Sequence, residues 1–173
     1  SVCIPGAAWF GYIAYADMTV SQAAPDPYIS LFSRYVAETN YYECRLVKRY
    51  AVSSQLQIQL RRQNGSGTAG STLLASSNFT GNIIGTHKMW FMVATNNSGA
   101  VLLRAGVTNR CWVEYNDSAA ARINRNGSLA LFSRNATIAA DNIVVHKVTD
   151  AQNFSSWSAP SHGNYTNRGW VVL

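Results

Sequence analysis

Acidic residues are scarce in this chain: 8 Asp and Glu stand against 14 Lys and Arg in 173 residues, a formal net charge of +6. Few acids leave little material for a catalytic carboxylate pair, which a retaining glycosidase needs about 5–5.5 Å apart and an inverting one farther apart. Histidine is as sparse. His87, His146 and His162 are far apart in sequence and none has metal-ligand spacing. His87 and His162 read as turn residues and His146 as an outward strand residue, and no nucleophile elbow supports a Ser-His-Asp triad. No apolar run approaches the ~20 residues that cross a bilayer. No stretch of ten or more residues keeps a helical apolar period. No basic segment followed by an apolar one opens the chain, so an export signal is expected to have been removed already. The three cysteines, Cys3, Cys44 and Cys111, fit no zinc motif.

Asn, Ser, Thr and Gly are plentiful, while only 13% of residues are charged. That is the composition of an extracellular β-protein. Asn-x-Ser/Thr acceptors begin at Asn64, Asn78, Asn96, Asn116, Asn126, Asn135, Asn153 and Asn164. With 15 Asn, chance predicts about two or three such sites, so a secreted or cell-surface glycoprotein is expected. Secretion favours one disulfide. Cys44 and Cys111, both in strand-like segments, are the first pair expected, which leaves Cys3 free or bonded to another chain. The basic excess is scattered, densest at Arg45–Arg49 and Leu60–Gln63. It reads as a solvated sheet face rather than a nucleic-acid surface.

Period-two segments recur between turn clusters at spacings of about ten residues. In "YIAYADMTVS", Ala14, Ala16, Met18 and Val20 alternate with Tyr15, Asp17 and Thr19. "NYYECRLVKRY" sets Tyr42, Cys44 and Leu46 against Tyr41, Glu43 and Arg45, and "LQIQLRRQ" sets Leu56, Ile58 and Leu60 against Gln57, Gln59 and Arg61. Adding "YISLFSRYV", "STLLASSNF", "HKMWFMVAT", "AVLLRAGV", "RCWVEYND", "GSLALFSR" and "DNIVVHKV" makes roughly ten strands with short polar connections, an all-β antiparallel sandwich. The expected organisation is one sandwich over residues 1–148 and a distinct tail over 149–173.

Three stretches resemble the concanavalin A-like (LamG/glucanase-type) jelly roll: "YISLFSRYVAETNYYECRLV", with Arg34, Tyr35, Asn40, Tyr41 and Tyr42 in register; "LQIQLRRQNGSGTAGSTLLASSNF"; and "NGSLALFSRNATIAADNIVVHKV". The resemblance covers about residues 14–148 and implies the fold. It does not imply one function, because lectins, carbohydrate-binding modules, glycosidases, lyases and adhesion modules share it. It places "SLALFS" inside a sheet with its ends turning at the surface, at Asn126 and Asn135. The glucanase branch carries E-x-D-x-x-E along one strand. Here the nearest approach is Glu114 and Asp117, whose odd spacing puts them on opposite faces, with Asp117 in a sequon turn. The alginate-lyase branch is approached by "RAGVTNR", where Thr108 replaces a Tyr, and by "QIQ", which lacks the His. No catalysis is expected. Asp141 stands where the resembling family caps its terminal strand or joins a Ca²⁺ site. Structural hydrogen bonding is the first reading and Ca²⁺ the alternative, so no cofactor is expected beyond that ion.

Arg34, Tyr41, Arg45, Trp90 and Trp112 are the candidate glycan contacts, since sugars stack on exposed rings; the competing reading buries these rings in the sandwich. A structural or adhesive subunit of an extracellular assembly is favoured narrowly over a carbohydrate-binding module, and both over a polysaccharide-active enzyme. The expected partners are other copies of this chain or extracellular glycans. The jelly roll normally opens with an extra strand beside the closing one, for which Ser1 to Tyr12 read as too short. Such a strand stands instead at the C-terminus, in Gly169, Trp170, Val171, Val172 and Leu173. It is expected either to fold back into its own sandwich or to enter a neighbour's, building a head-to-tail filament that Cys3 would lock.

Overall fold

The computed structural model describes residues 2–9 by their main chain, and residues 11–49 and 54–147 in full. Nine strands follow in order: β1 (Val2–Trp9), β2 (Tyr12–Ala37), β3 (Asn40–Lys48), β4 (Gln55–Asn64), β5 (Ser71–Thr80), β6 (Gly85–Thr95), β7 (Val101–Val107), β8 (Cys111–Asp117) and β9 (Gly127–Lys147). All pairings are antiparallel. The expected all-β sandwich is what forms.

Two long strands bind the sandwich together. β2 and β9 run side by side, from Tyr12 opposite Lys147 to Tyr35 opposite Ser128. Each leaves one sheet and enters the other. β2 turns at Pro25-Asp26-Pro27, where neither proline can donate to a ladder and Asp26 adopts φ 56°. β9 turns at Asn135 (φ 52°), and Asn135 Nδ2 donates to Pro25 O at 2.6 Å, tying the bends together. Beyond the bends, one sheet has the order β5-β4-β3-β2-β9-β1 and the other β8-β7-β6-β2-β9. The ten expected segments therefore form eight strands, because "YIAYADMTVS" and "YISLFSRYV" are halves of β2, and "GSLALFSR" and "DNIVVHKV" are halves of β9. The ninth strand corrects the expectation for the N-terminus. Residues 2–9 do supply a strand, and it pairs with Gly127–Leu131 of β9 rather than with "DNIVV".

The interior is the set of positions that alternation assigns inward. Ala14, Met18, Val20, Ile29, Leu31, Tyr42, Cys44, Leu46, Leu56, Ile58 and Leu60 face Met89, Phe91, Val93, Val101, Leu103 and Ala105, all essentially buried. In β2 the inward set switches from even to odd numbers across the bend, which keeps an apolar face on the core in both sheets.

A polar network closes one end of the sandwich. Tyr42 Oη donates to Asp117 Oδ2 at 2.7 Å and accepts from the Ile123 N–H at 2.9 Å. Arg62 Nη1 donates to both oxygens of Asp117, at 2.7 and 2.9 Å. Asp117, expected in a turn, is thus the fully buried last residue of β8, linked to both β3 and β4. Glu114 points the other way, exposed and paired with Arg104 at 2.9 Å, so the opposite-face expectation for this pair holds.

Candidate functional site

The candidate functional face is the side of the β5-β4-β3-β2-β9-β1 sheet that turns away from the core. Residues one position out of phase with the buried set line it. Direct cross-strand neighbours are Ala130, Phe32, Glu43 and Arg61 in one row, and Phe132, Ser30, Arg45 and Gln59 in the next. Phe32, Phe132, Glu43, Arg45 and Arg61 from these rows, with Tyr28, Tyr35, Tyr41, Gln63, Ser71 and Arg134, line an open cleft of about 450 Å³. That volume lies within the ordinary range for a small-molecule site.

Five aromatic rings pave one side. Phe32 and Tyr41 stack with centroids 4.4 Å apart and planes 15° apart. Phe32 also lies 5.9 Å from Tyr35 and 5.7 Å from Phe132, again near-parallel. Phe132 continues the pavement to Tyr28 at 5.7 Å. Burial pushes the Tyr41 hydroxyl up to about 12, with Glu43 adding to the shift, so the ring is neutral at ordinary pH.

Charged groups occupy the other side. Glu43 is 2% exposed and fully engaged: Arg45 Nε and Nη2 each donate to it at 2.9 Å, and Ser30 Oγ donates at 2.6 Å. The Arg45 guanidinium lies 4.1 Å from the centroid of the Tyr28 ring. Arg61 stands directly opposite Glu43, yet among the described residues its hydrogen bonds go to neutral oxygens, from Nε to Ser71 Oγ at 3.0 Å and from Nη1 to Gln59 Oε1 at 3.1 Å. Burial, and then the Arg45 charge, lower its pKa from the usual arginine value.

Of the expected glycan contacts, the structure brings Tyr41 and Arg45 together. The other three lie elsewhere. Arg34 is fully buried, with φ 50°, and donates to Ile123 O and Thr95 Oγ1, each at 2.7 Å. Trp90 is 3% exposed and packs with Ile13, Tyr15 and Met92 in a separate cluster on the second sheet. Trp112 is 50% exposed on β8 of that same sheet, with Arg104 5.7 Å from its ring centroid. Residues passed over in the sequence are Tyr28, Phe32, Tyr35, Phe132, Arg61 and Arg134. The alternation already placed Glu43 and Arg61 on outward faces, but nothing local said that these strands adjoin.

The remaining candidates are dispersed. Cys44 and Cys111 are both free, which corrects the expected disulfide. Cys44 is fully buried between Leu31 and Leu60, and burial raises its thiol pKa well above the usual value; Cys111 is half-buried at the start of β8. The Cys3 side chain lies outside the described residues. His87 is not in a turn. It belongs to β6, largely buried, with Nε2 2.9 Å from Ile83 O, and burial lowers its pKa. Asp141 is exposed opposite Asp17, and its Oδ1 accepts from the Asn142 N–H at 2.7 Å. Among the described residues no group of three or more His, Cys, Asp or Glu could hold a metal ion. Asn64, Asn78, Asn116, Asn126 and Asn135 are exposed and Asn96 is half-buried. Asn153, Asn164 and the segment from Gly169 to Leu173 lie outside the described residues. Among those residues, no helix is long and apolar enough to cross a membrane.

No protein-family model matches the chain, and no curated protein matches it in sequence. Solved structures do match in shape. The carbohydrate-binding module CBM66 from Bacillus subtilis superposes with a TM-score of 0.63 at 12% identity, covering 82% of this chain and 78% of that one. Sheep galectin-11, in complex with glycerol, gives 0.47 at 8% identity over 84% and 95% of the two chains. The GH43 protein BlXynB from Bacillus licheniformis gives 0.47 at 14% identity, over 76% of this chain and only 26% of its own length. The likeness to the first of these is one of fold, and the architecture is an antiparallel jelly-roll β-sandwich.

Proposed function

We propose that this chain is a non-catalytic carbohydrate-binding module that works outside the cell. The supporting observation is the cleft itself. Four half-exposed rings, Tyr28, Tyr35, Tyr41 and Phe132, packed around the buried Phe32, face a wall of arginine, glutamine and serine side chains on a rigid sheet, which suits the apolar C–H face and the hydroxyl edge of a sugar at once. A built cleft favours this reading over the structural subunit that the sequence alone preferred. Support for an absence of catalysis comes from Glu43, whose two oxygens are occupied by Arg45 and Ser30, and from Glu114 and Asp117, which point to opposite faces. The proposal includes no cofactor. Exposure of five acceptor asparagines supports an extracellular location, and intact-mass analysis of native material should show more than the bare 18.9 kDa chain.

A glycan array followed by titration calorimetry tests the proposal. At least one glycan family is expected to bind, and Tyr41→Ala should weaken that binding about tenfold, the ring's share being roughly 1–1.5 kcal/mol. Silence across a broad array would end this reading.

A second reading, the strand-exchanging subunit, is supported by one edge. β1 covers β9 only along Gly127–Leu131, and among the described residues no strand pairs with the outer side of Ile138–Lys147. Such an edge invites strand addition, and Gly169 to Leu173 is an apolar, β-prone segment suited to it. Light scattering of the full chain and of one lacking those five residues decides. A full chain that stays monomeric at high concentration, with a truncated chain just as stable, rules exchange out.

A further inference from the structure

We propose that the cleft selects a sugar bearing a carboxylate, such as a uronic or sialic acid, over its neutral counterpart, and that Arg61 receives the carboxylate. The inference rests on the carbohydrate-binding reading and narrows it to a substrate class.

The charges lining the cleft are Glu38, Glu43, Arg45, Arg61 and Arg134. Glu43 and Arg45 neutralise each other through two parallel hydrogen bonds, and Ser30 takes a further position on the carboxylate. Glu38 sits exposed beyond the end of β2. What remains inside is cationic.

Arg61 and Arg134 carry that surplus, and Arg61 is the one set into the sheet beside the Glu43–Arg45 pair. Its register partner, Glu43, is occupied by Arg45, so Arg61 is left with hydroxyl and amide oxygens. An arginine has five N–H donors in one plane. Two are used here, and the Nη1/Nη2 end still offers a donor from each nitrogen, the fork that a carboxylate fits bidentately. The site is half-buried, so the cation has lost part of its hydration, and among the described residues it forms no ion pair in return; an incoming anion would restore that loss. The lowered pKa of Arg61 has the same physical origin.

Placement supports the assignment. Arg61 lies two strands from Phe32 in one cross-strand row, roughly 10 Å at ordinary sheet spacing. A sugar held against the half-exposed Tyr41 ring, which packs on Phe32, or the residue next to it in an oligosaccharide, would carry its substituent to Arg61. Arg134 lines the far side of the same cleft. Among the described residues it forms no ion pair.

The test is calorimetry of the full chain with hexuronate tetrasaccharides, sialylated oligosaccharides, the carboxyl-reduced form of each, and sulfated neutral oligosaccharides. One carboxylated probe is expected to bind at least tenfold more tightly than its reduced form, with affinity falling as salt rises. R61Q should weaken binding of the carboxylated probe far more than that of its reduced form and so remove the preference, and R61K, which keeps the charge but not the planar fork, should restore only part of it. R134Q serves as the second variant if R61Q melts early. Equal affinity for acidic and reduced probes would overturn the acidic preference and leave sugar binding standing. Preference for the sulfated probe would overturn the carboxylate assignment. No binding to any sugar would overturn both this inference and the reading beneath it.

Discussion

Phe32 of β2 and Tyr41 of β3 stack face to face, 4.4 Å between centroids, although Tyr41 is not the register partner of Phe32; Glu43 is. The diagonal contact leaves Glu43 beneath the rings for Arg45 and Ser30, and leaves the Tyr41 ring half-exposed to a ligand. The two rings should therefore respond differently to truncation. Phe32 is only 6% exposed, and Phe32→Ala should cost about 3–5 kcal/mol of stability in denaturant titration. Tyr41→Ala should mainly lower glycan affinity, with a much smaller change in the unfolding midpoint.

Tyr42→Phe removes a hydroxyl that serves Asp117 on one side and the Ile123 N–H on the other. Both partners are buried, so the expected loss is about 1–3 kcal/mol despite the near-identical volume. Equilibrium unfolding in urea measures it. A change below a few tenths of a kcal/mol would mean that Arg62 and water make good the loss.

Alkaline pH should unfold the protein early. The Tyr41 hydroxyl titrates at about 12 in the folded chain and near 10 when unfolded. Its folded pKa is raised, so its contribution is complete below pH 10 and is lost as pH climbs toward 12. Tyr12 and Tyr42 are also shifted upward, chiefly by burial, and add to the same slope. Stability measured from pH 9 to 12 should fall steadily, and Tyr41→Phe should make the fall shallower.

The two free thiols should differ sharply in access. In a Cys3→Ser variant, a thiol reagent is expected to modify Cys111 in the native protein and Cys44 only after denaturation, because Cys44 is 0% exposed and burial raises its pKa. Resistance of both thiols after denaturation would show that a disulfide forms after all.

Gly127 approaches the Arg34 backbone so closely that an added Cβ would lie 2.3 Å from the Arg34 carbonyl carbon. Gly127→Ala should therefore cost about 1–3 kcal/mol, seen as a lower melting temperature, since one of two packed main chains must shift.

Alternation alone identifies the class of fold and most of the core, because a strand's two faces are a local property with a period of two residues. It separates Tyr42, Cys44 and Leu46 from Tyr41, Glu43 and Arg45, and Leu56, Ile58 and Leu60 from Gln57, Gln59 and Arg61, with no knowledge of which strands adjoin. The excess of acceptor asparagines is likewise plain in the amino-acid sequence. The cleft is not legible in that way. Phe132 meets Phe32, and Arg61 meets Glu43, only because β9 and β4 flank the β2–β3 pair, and strand order is a long-range outcome of how two sheets close over one core. Arg34 shows the same limit within a single motif. It stands one residue before Tyr35, whose ring lines the cleft, but its positive φ turns the guanidinium inward to Ile123 and Thr95. Which arginine is structural and which can meet a ligand is decided by backbone geometry that three-dimensional packing imposes.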